Sequence, residues 1–134
     1  MTEISAATVT PYLCAKGAAE AIEFYKKAFG AEETTRYVED DGRVGHAELR
    51  IGASEIMLSD EYSEYRVLSP LTLGGNSVSL SISVPDVDAA FQRAIEAGAK
   101  VERPLKDEPY GRAGWLIDPF GHRWNLIRPA QAGS

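Results

Sequence analysis

Two ionisable side chains at alternate positions are the first candidates for chemistry in this sequence. His46 and Glu48 lie within residues 44–51, a run that alternates apolar and polar residues as a half-buried strand does. Side chains two residues apart in a strand point to the same face, so this imidazole and carboxylate can exchange a proton. The two residues form either an acid–base pair, half of an unconventional metal site, or an ordinary exposed polar face. The sequence leaves these interpretations open.

Serines that alternate with aliphatic residues indicate a second polar face. Residues 77–84 carry a serine at every second position, so one face of this predicted strand bears only hydroxyl groups. Thr10, Tyr12 and Cys14 alternate in the same way along a predicted strand at 8–14. Such a face is either solvated or lines a polar cavity. We favour the cavity, because two separate strands show the same pattern.

Three further residues carry chemistry with more than one interpretation. Arg112 begins a predicted strand, and its guanidinium either recognises an anionic ligand or pairs with a surface acid. Cys14 is either a nucleophile or a small buried residue, and the second is favoured because no base accompanies it locally. His122 follows the turn at 118–121, and a role as a turn residue or dimer contact is favoured over that of a catalytic base.

Aromatic residues add two more candidates. Trp115 and Trp124 fall on strand faces assigned to the core, with stacking on an aromatic ligand as the alternative. Residues 60–65 combine three acids with two tyrosines. This stretch suits a cationic ligand, and a solvated loop is the commoner explanation.

The predicted elements that position these residues repeat one order twice: a strand, a helix and then three strands. Apolar residues at helical spacing predict helices at 17–29 and 86–97, which end at Gly30 and Gly98. Alternation and turn residues predict strands at 8–14, 32–39, 44–51, 55–60, 77–84, 99–103, 112–117 and 122–127. We expect one domain, with module 1 at about 8–60, a mostly polar, mobile connection at about 61–76, and module 2 at about 77–128.

An offset of about 68 residues relates the two modules, and it places Met57 on Asn125. The same offset places Val44 on Arg112, whose side chain is thereby expected on the polar face. A curved sheet with helices on its convex side would gather the polar faces into a concave cup.

Composition and charge narrow the classes of partner. At 134 residues the chain can bury a single core, and its one cysteine excludes an intramolecular disulfide and any multi-cysteine metal site. The net charge of −6 argues against binding nucleic acid. The N-terminal residues lack a targeting pattern, and no apolar run approaches the roughly 20 residues of a membrane span. We therefore expect a cytoplasmic protein that contacts no membrane.

Four sequence motifs carry a family resemblance that covers nearly the whole chain. They are Pro11-Tyr12-Leu13, Ala21-Ile22-Glu23-Phe24-Tyr25 through Ala28-Phe29-Gly30-Ala31, Ile56-Met57-Leu58-Ser59-Asp60-Glu61, and Asp118-Pro119-Phe120-Gly121-His122-Arg123-Trp124. In this order, on a duplicated plan, they resemble the vicinal oxygen chelate superfamily. That superfamily includes glyoxalase I, fosfomycin and bleomycin resistance proteins, and extradiol dioxygenases. The sequence is most similar to its PhnB-like branch.

The resemblance implies an α+β fold in which two βαβββ modules form a curled mixed sheet around a cup, commonly in a two-fold dimer. It also implies that catalytic members hold one divalent metal, with ligands on the first and fourth strands of each module. Those positions are here Thr10, Met57, Ser79 and Asn125. Their neutral side chains lack the carboxylate and imidazole groups that such a metal prefers. We therefore expect no metal cofactor at this site, and a displaced divalent metal is the alternative.

The sequence supports two functional hypotheses. The first is a metal-free, dimeric small-molecule-binding protein that sequesters or recognises an organic ligand in the cup. The second is an enzyme of the glyoxalase, lyase or dioxygenase class with a displaced metal, or with acid–base chemistry through His46 and Glu48. The residues predicted to contact the ligand are Thr10, Tyr12, Met57, Ser79, Ser81, Arg112 and Asn125.

Overall fold

Two βαβββ modules make up most of residues 3–131, which are the residues that this computed structural model describes. Module 1 contains β1 (Tyr12–Cys14), α1 (Ala18–Phe29), β2 (Glu32–Val38), β3 (Val44–Ile51) and β4 (Ser54–Ser59). The short helix α2 (Pro70–Leu73) lies between the modules. Module 2 contains β5 (Leu80–Ser83), α3 (Val87–Ala97), β6 (Lys100–Glu108), β7 (Gly111–Ile117) and β8 (Arg123–Pro129). The expectation about a targeting pattern includes Met1 and Thr2, which lie outside the described residues.

Each module folds its strands into one four-stranded mixed sheet. The strand order is β1-β4-β3-β2 in module 1 and β5-β8-β7-β6 in module 2. The pairs β1–β4 and β5–β8 are parallel, and the other pairs are antiparallel. The α+β class and the duplicated plan predicted from the sequence are confirmed. Since β1 and β5 are edge strands, one side of each has no neighbouring strand within residues 3–131.

An aspartate side chain caps the start of each long helix, and a glycine ends each one. The amides of Gly17 and Ala18 donate to Oδ1 of Asp60 at 3.2 and 2.8 Å, so a carboxylate from the end of β4 caps α1. Helix α3 is capped by the Asp86 side chain immediately before it. Gly30 ends α1 with a φ of +69°, a left-handed conformation that glycine adopts most readily.

The helices α1 and α3 pack against each other and share one core with both sheets. Trp124 of β8 lies against Phe29 of α1, with ring centroids 4.6 Å apart. The buried Asp118 accepts from the Tyr25 hydroxyl at 2.6 Å and from the Trp124 indole at 2.9 Å, which ties module 2 to α1. Each sheet turns its apolar face to this core, so the polar faces of the two modules both point away from it.

Three strand boundaries differ from the prediction by more than two residues. β1 and β5 begin at Tyr12 and Leu80, since the paired stretches of β1 with β4 and of β5 with β8 start at those residues. β6 continues through Pro104 to Glu108 instead of ending at Arg103. Proline is tolerated there because β6 is an edge strand whose pairing is irregular at this point.

The connection between the modules carries structure that its polar composition did not predict. It contains a 3-10 helix at Ser63–Tyr65 as well as α2. The N-cap of α2, Ser69, is buried, and its amide donates to Glu61 Oε2 at 2.9 Å. In the described part of the chain, the helices are all too short or too polar to cross a membrane.

Candidate functional site

Three side chains on the polar face of module 1 form a hydrogen-bonded chain. Tyr12 of β1 places its hydroxyl 2.6 Å from Nδ1 of His46, and Nε2 of His46 lies 2.8 Å from Oε2 of Glu48. β4 lies between β1 and β3, and a tyrosine is long enough to reach across one strand. The structure therefore brings together the predicted His46 and Glu48 pair and adds Tyr12 to it.

The chemistry of each group assigns the donors in this chain. An ionised Glu48 can only accept, so His46 donates through Nε2–H and its Nδ1 accepts from the Tyr12 hydroxyl. Burial, followed by the negative charge of Glu48, raises the pKa of Tyr12 above its usual 10.0, and the phenol is protonated at neutral pH. Tyr12 is 53% exposed, so its oxygen is accessible to a bound molecule.

The residues at the family's metal positions do not suit a divalent metal. Thr10 precedes β1, and Met57 of β4 pairs with Tyr12 in the register of the sheet. In module 2, Asn125 of β8 pairs with Ser81. Hydroxyl, thioether and amide groups provide neither an anionic oxygen nor an imidazole nitrogen. Across residues 3–131, no three His, Cys, Asp or Glu side chains are grouped as they would be around a metal ion.

The polar face of module 2 carries a separate group of hydrogen bonds. Asn125 Nδ2 donates to Ser81 Oγ at 2.9 Å, and Arg123 Nη1 donates to Ser79 Oγ at 3.0 Å. The other amide atom of Asn125, Oδ1, is buried and has no hydrogen-bond partner among the described residues. A buried acceptor in this state costs about 1–3 kcal/mol. A donor from a ligand or from a second chain would remove that cost.

Trp115 lies on this polar face, so its prediction as a core residue is wrong. The Arg123 guanidinium stacks on the Trp115 ring, with its Cζ 3.8 Å from the ring centroid. The reason is the hairpin length. Glu48 pairs with Met57 in module 1 and Trp115 pairs with Asn125 in module 2, so the second hairpin holds one residue more. One extra residue moves the side chains of β7 to the opposite faces from those predicted.

The same extra residue turns Arg112 to the helix side of its sheet. Its guanidinium donates to both carboxylate oxygens of Asp88 on α3, at 3.0 and 3.1 Å, and to Asp107 at 3.3 Å. The predicted position of Arg112 in the cup is therefore wrong. The alternative considered for it, pairing with surface acids, describes what the structure shows.

A cleft of about 470 Å³ opens beside Tyr12 at one end of the polar face of module 1. We call it the tyrosine cleft, because Tyr12, Tyr62 and Tyr65 line it. Its other lining residues are Leu13, Cys14, Glu39, Gly45, Ser59 and Val67. Tyr62 and Tyr65 belong to the acidic, aromatic stretch noted in the sequence. Sequence reasoning missed Glu39 and Gly45, and the predicted β2–β3 turn is the signal that could have found them, since they flank it on both sides.

Cys14 and His122 hold the two modules together rather than forming a reactive pair. His122 is buried, and its Nε2 lies 2.8 Å from the carbonyl oxygen of Cys14. Burial, followed by the charges of Glu61 and Asp60, raises the pKa of the Cys14 thiol to about 11. The thiol is therefore protonated at neutral pH, which disfavours the interpretation of Cys14 as a nucleophile.

The candidate residues thus form two groups on separate sheets. One surrounds the Tyr12–His46–Glu48 chain, and the other surrounds Asn125. Within residues 3–131, the hydrogen bonds of these side chains do not cross from one group to the other. The packed helices α1 and α3 lie on the opposite face of both sheets and leave each polar face to itself.

A single protein family accounts for this fold and for the pattern of the two sheets. The sequence profile of the Glyoxalase/Bleomycin resistance protein/Dioxygenase superfamily matches residues 6–126. The chain belongs to this superfamily, and the resemblance stated from the sequence motifs is confirmed.

Similar proteins span nearly the same length. Mb0911c, an uncharacterized protein of Mycobacterium bovis, is 43% identical over 127 residues, which cover 92% of this chain and 84% of that protein. The X-ray structure of the Arabidopsis thaliana At5g48480 gene product is 26% identical, with a TM-score of 0.74 over 91% of this chain and 98% of the other. A PhnB protein from Bacillus cereus is 24% identical, with a TM-score of 0.67 over 91% and 99% of the two chains, and shows a shared fold alone.

Proposed function

We propose that this protein binds a small organic molecule on its polar sheet faces without a divalent metal. The observation that carries the proposal is the donor set at the family's metal positions, Thr10, Met57, Ser79 and Asn125, which is neutral throughout. Hydroxyl and amide groups on the polar sheet faces suit hydrogen bonds to an organic ligand. The unpaired Oδ1 of Asn125 supports the same role, because it requires a donor from outside the described chain.

We propose further that two copies of the chain complete each cup. In one chain the two polar groups lie apart, and β1 and β5 are both edge strands. An exposed edge offers unpaired amides and carbonyls to another strand. If β5 of a second copy lies beside β1, the Asn125 group comes to the same cup as the Tyr12–His46–Glu48 chain. A homodimer of this kind, a cytoplasmic location and the absence of nucleic-acid and membrane partners stay predictions.

Metal analysis tests the metal-free part of the proposal. Protein purified without chelator and offered Mn, Fe, Co, Ni and Zn ions should retain far less than one ion per chain in plasma mass spectrometry. Calorimetric titration with each ion should show no stoichiometric site. One tightly held ion per chain would contradict the proposal.

Cup variants test the ligand site and the dimer together. Ser81→Leu places a bulky side chain beside Asn125 and should abolish binding of hits from a fragment library of aromatic amines, alcohols and acids. Arg112→Ala on the opposite face is the matched control and should bind those fragments as the parent protein does. Sedimentation of the parent protein should give twice the mass of the chain. A monomeric protein whose Ser81→Leu variant still binds the fragments would contradict the two-chain cup.

The Tyr12–His46–Glu48 chain favours a second candidate function, proton transfer to or from the bound molecule. As the Tyr12 proton moves to Nδ1 of His46, the phenolic oxygen takes a proton from the ligand, and Glu48 stabilises the imidazolium that forms. The three hydrogen-bonded side chains would then act together as a general base in a metal-independent enzyme. This function needs only the geometry already present.

Nitrogen NMR of the imidazole tests this arrangement without a known substrate. Neutral His46 should show the Nε2–H tautomer, and Glu48→Gln should increase the Nδ1–H population. With 2-oxoaldehyde–thiol adducts as trial substrates, any turnover should fall about 10²–10⁴-fold in His46→Ala. A dominant Nδ1–H tautomer in the parent protein, or turnover that survives His46→Ala, would rule out this role.

A further inference from the structure

We propose that the tyrosine cleft binds an organic cation, an ammonium group attached to an apolar or aromatic body. The inference rests on the proposed function, since it names the chemical class of ligand that one part of the cup accepts. It is carried by the aromatic walls, the carboxylate in the wall and the unpaired hydroxyl beside it.

The walls of the cleft attract positive charge through aromatic faces. Tyr12, Tyr62 and Tyr65 are three of the residues that line it, and tyrosine rings bind cations on their π faces. Tyr62 already does so, because the Arg43 guanidinium lies 3.9 Å from its ring centroid. No lysine or arginine is among the lining residues, and Arg43, which stacks on the Tyr62 ring, leaves the rings of Tyr12 and Tyr65 to a ligand.

A carboxylate and an unpaired hydroxyl lie together at the side of the cleft nearest β3. Gly45 lets the Glu39 carboxylate approach the strand, because an added Cβ there would collide with Glu39 Oε1 and lie 3.3 Å from the Tyr62 hydroxyl oxygen. That hydroxyl is buried and has no hydrogen-bond partner within residues 3–131. An ammonium N–H can donate to both oxygens, and an anion would meet the charge of Glu39 instead.

The charges around the cleft reinforce this preference. Burial is the main cause of the raised pKa of Cys14 in the cleft wall, and the negative charges of Glu61 and Asp60 raise it further. Arg43 and Lys16 are each balanced by acids, whereas Arg66, between the lining residues Tyr65 and Val67, has no ion pair among the described residues. Arg43 pairs with Glu64 at 2.9 Å and with Asp41 at 2.8 Å. Hydrogen bonds that Glu61 accepts are the main cause of the lowered pKa of its carboxyl, and the positive charge of Lys16 lowers it further. Acids therefore outnumber bases around the cleft.

The size and the apolar part of the cleft define the rest of the ligand. A volume of about 470 Å³ lies within the range of small-molecule pockets, which is roughly 300–1,000 Å³. Leu13 and Val67 add aliphatic surface to the three tyrosines. A ligand that matches these walls carries its charge at one end and an aromatic or aliphatic group at the other.

Three probes that differ in charge and share one ring test the inference. Benzylamine is a cation at pH 7, benzyl alcohol is neutral and benzylsulfonate is an anion. In titrations of the full chain followed by NMR, benzylamine should bind at the amides of Tyr62, Tyr65 and Val67. Benzyl alcohol should bind at least threefold more weakly, and benzylsulfonate should not bind.

Three variants identify the groups responsible. Glu39→Gln should weaken benzylamine about threefold to fivefold and leave benzyl alcohol unchanged, and Tyr65→Leu should weaken benzylamine by a similar factor. Glu96→Gln, which removes one exposed charge from α3, is the matched control and should bind benzylamine as the parent does. Gly45→Ala should reproduce the effect of Glu39→Gln, because it displaces that carboxylate.

The outcomes separate this inference from the proposed function. Binding of benzylsulfonate at the cleft, equal binding of all three probes, or unchanged benzylamine binding in Glu39→Gln would overturn the cation preference. Failure of every probe to bind would overturn it as well. The proposed function would then still be judged by the fragment library and the Ser81→Leu variant, which involve the Asn125 group on the other sheet.

Discussion

The polar face of module 1 carries a chain of ionisable groups across β1 and β3, whereas the matching strands of module 2, β5 and β7, carry Ser81 and Trp115 in place of Tyr12 and Glu48. Both faces lie on sheets with the same strand order, and in each sheet the first and last strands of the module pair in parallel. The module 1 face carries the hydrogen-bonded side chains of Tyr12, His46 and Glu48 and opens into the tyrosine cleft. The module 2 face offers a neutral amide, serines and an indole covered by Arg123.

This difference shows which positions the duplicated plan constrains. Residues on the helix side of each sheet must fill a shared core, so Leu58 and Leu126 are buried in corresponding strands. Residues on the polar side face away from α1 and α3, so packing in the shared core does not restrict them to one chemistry. The two modules therefore keep one framework and differ where a ligand would touch it.

Asp118 links module 2 to α1, so its loss should strongly destabilise the protein. Asp118→Ala leaves the Tyr25 hydroxyl and the Trp124 indole without an acceptor in the shared core. Each buried unpaired donor costs about 1–3 kcal/mol, so we expect a loss of about 3–5 kcal/mol in the free energy of unfolding, measured in urea. Tyr25→Phe, which removes only one of these bonds, is the control and should lose about 1 kcal/mol. A loss below that value in Asp118→Ala would contradict the role of this carboxylate.

The acidic character of module 1 should appear in the reactivity of Cys14. Its pKa of about 11, against a usual 9.0, reduces the thiolate fraction at pH 8 about 100-fold, and alkylation by iodoacetamide should slow to match. Glu61→Gln should speed the reaction, because that charge contributes to the raised pKa after burial. The folded state holds this proton more tightly than the unfolded state, so its contribution to stability falls as the pH rises from about 9 to about 11. Alkylation as fast as that of a free thiol would contradict the assignment.

Substitution of glycine by alanine should reduce stability by different amounts in the matching strands β3 and β7. A Cβ at Gly114 in β7 would lie 2.6 Å from Cε1 of Phe91 and 3.1 Å from the carbonyl oxygen of Arg103, where little can yield. Gly114→Ala should cost about 1–3 kcal/mol in the free energy of unfolding. Gly45→Ala in β3 should cost under about 0.5 kcal/mol, since the Glu39 side chain that it meets can move. Equal losses in the two variants would remove this distinction between the modules.

The smallest effect tests the position of Arg112. Arg112→Ala removes exposed ion pairs with Asp88 and Asp107, which are worth about 0.2–1 kcal/mol each at most. Thermal unfolding should therefore shift only slightly, and binding of the three benzyl probes should not change. A large loss of probe binding would return Arg112 to the ligand site.

Much of the fold was predictable because it follows from local rules. Helical spacing and terminal glycines located α1 and α3, and alternation placed His46 and Glu48 on one face. The positions of Trp115 and Arg112 were not predictable from the offset between the modules. A single extra residue in the second hairpin changes the face of every side chain in β7, and the offset between the modules does not reveal it.

Motif order, periodicity and residue type establish the family, the two βαβββ modules and the neutral residues at the family's metal positions. The side-chain contacts follow from the tertiary structure. Only the strand order β1-β4-β3 brings Tyr12 to His46, and only the β2–β3 turn places Glu39 over Gly45 beside Tyr62. Contacts of this kind join residues distant in the chain, and their geometry depends on register and loop length, which local sequence patterns specify weakly.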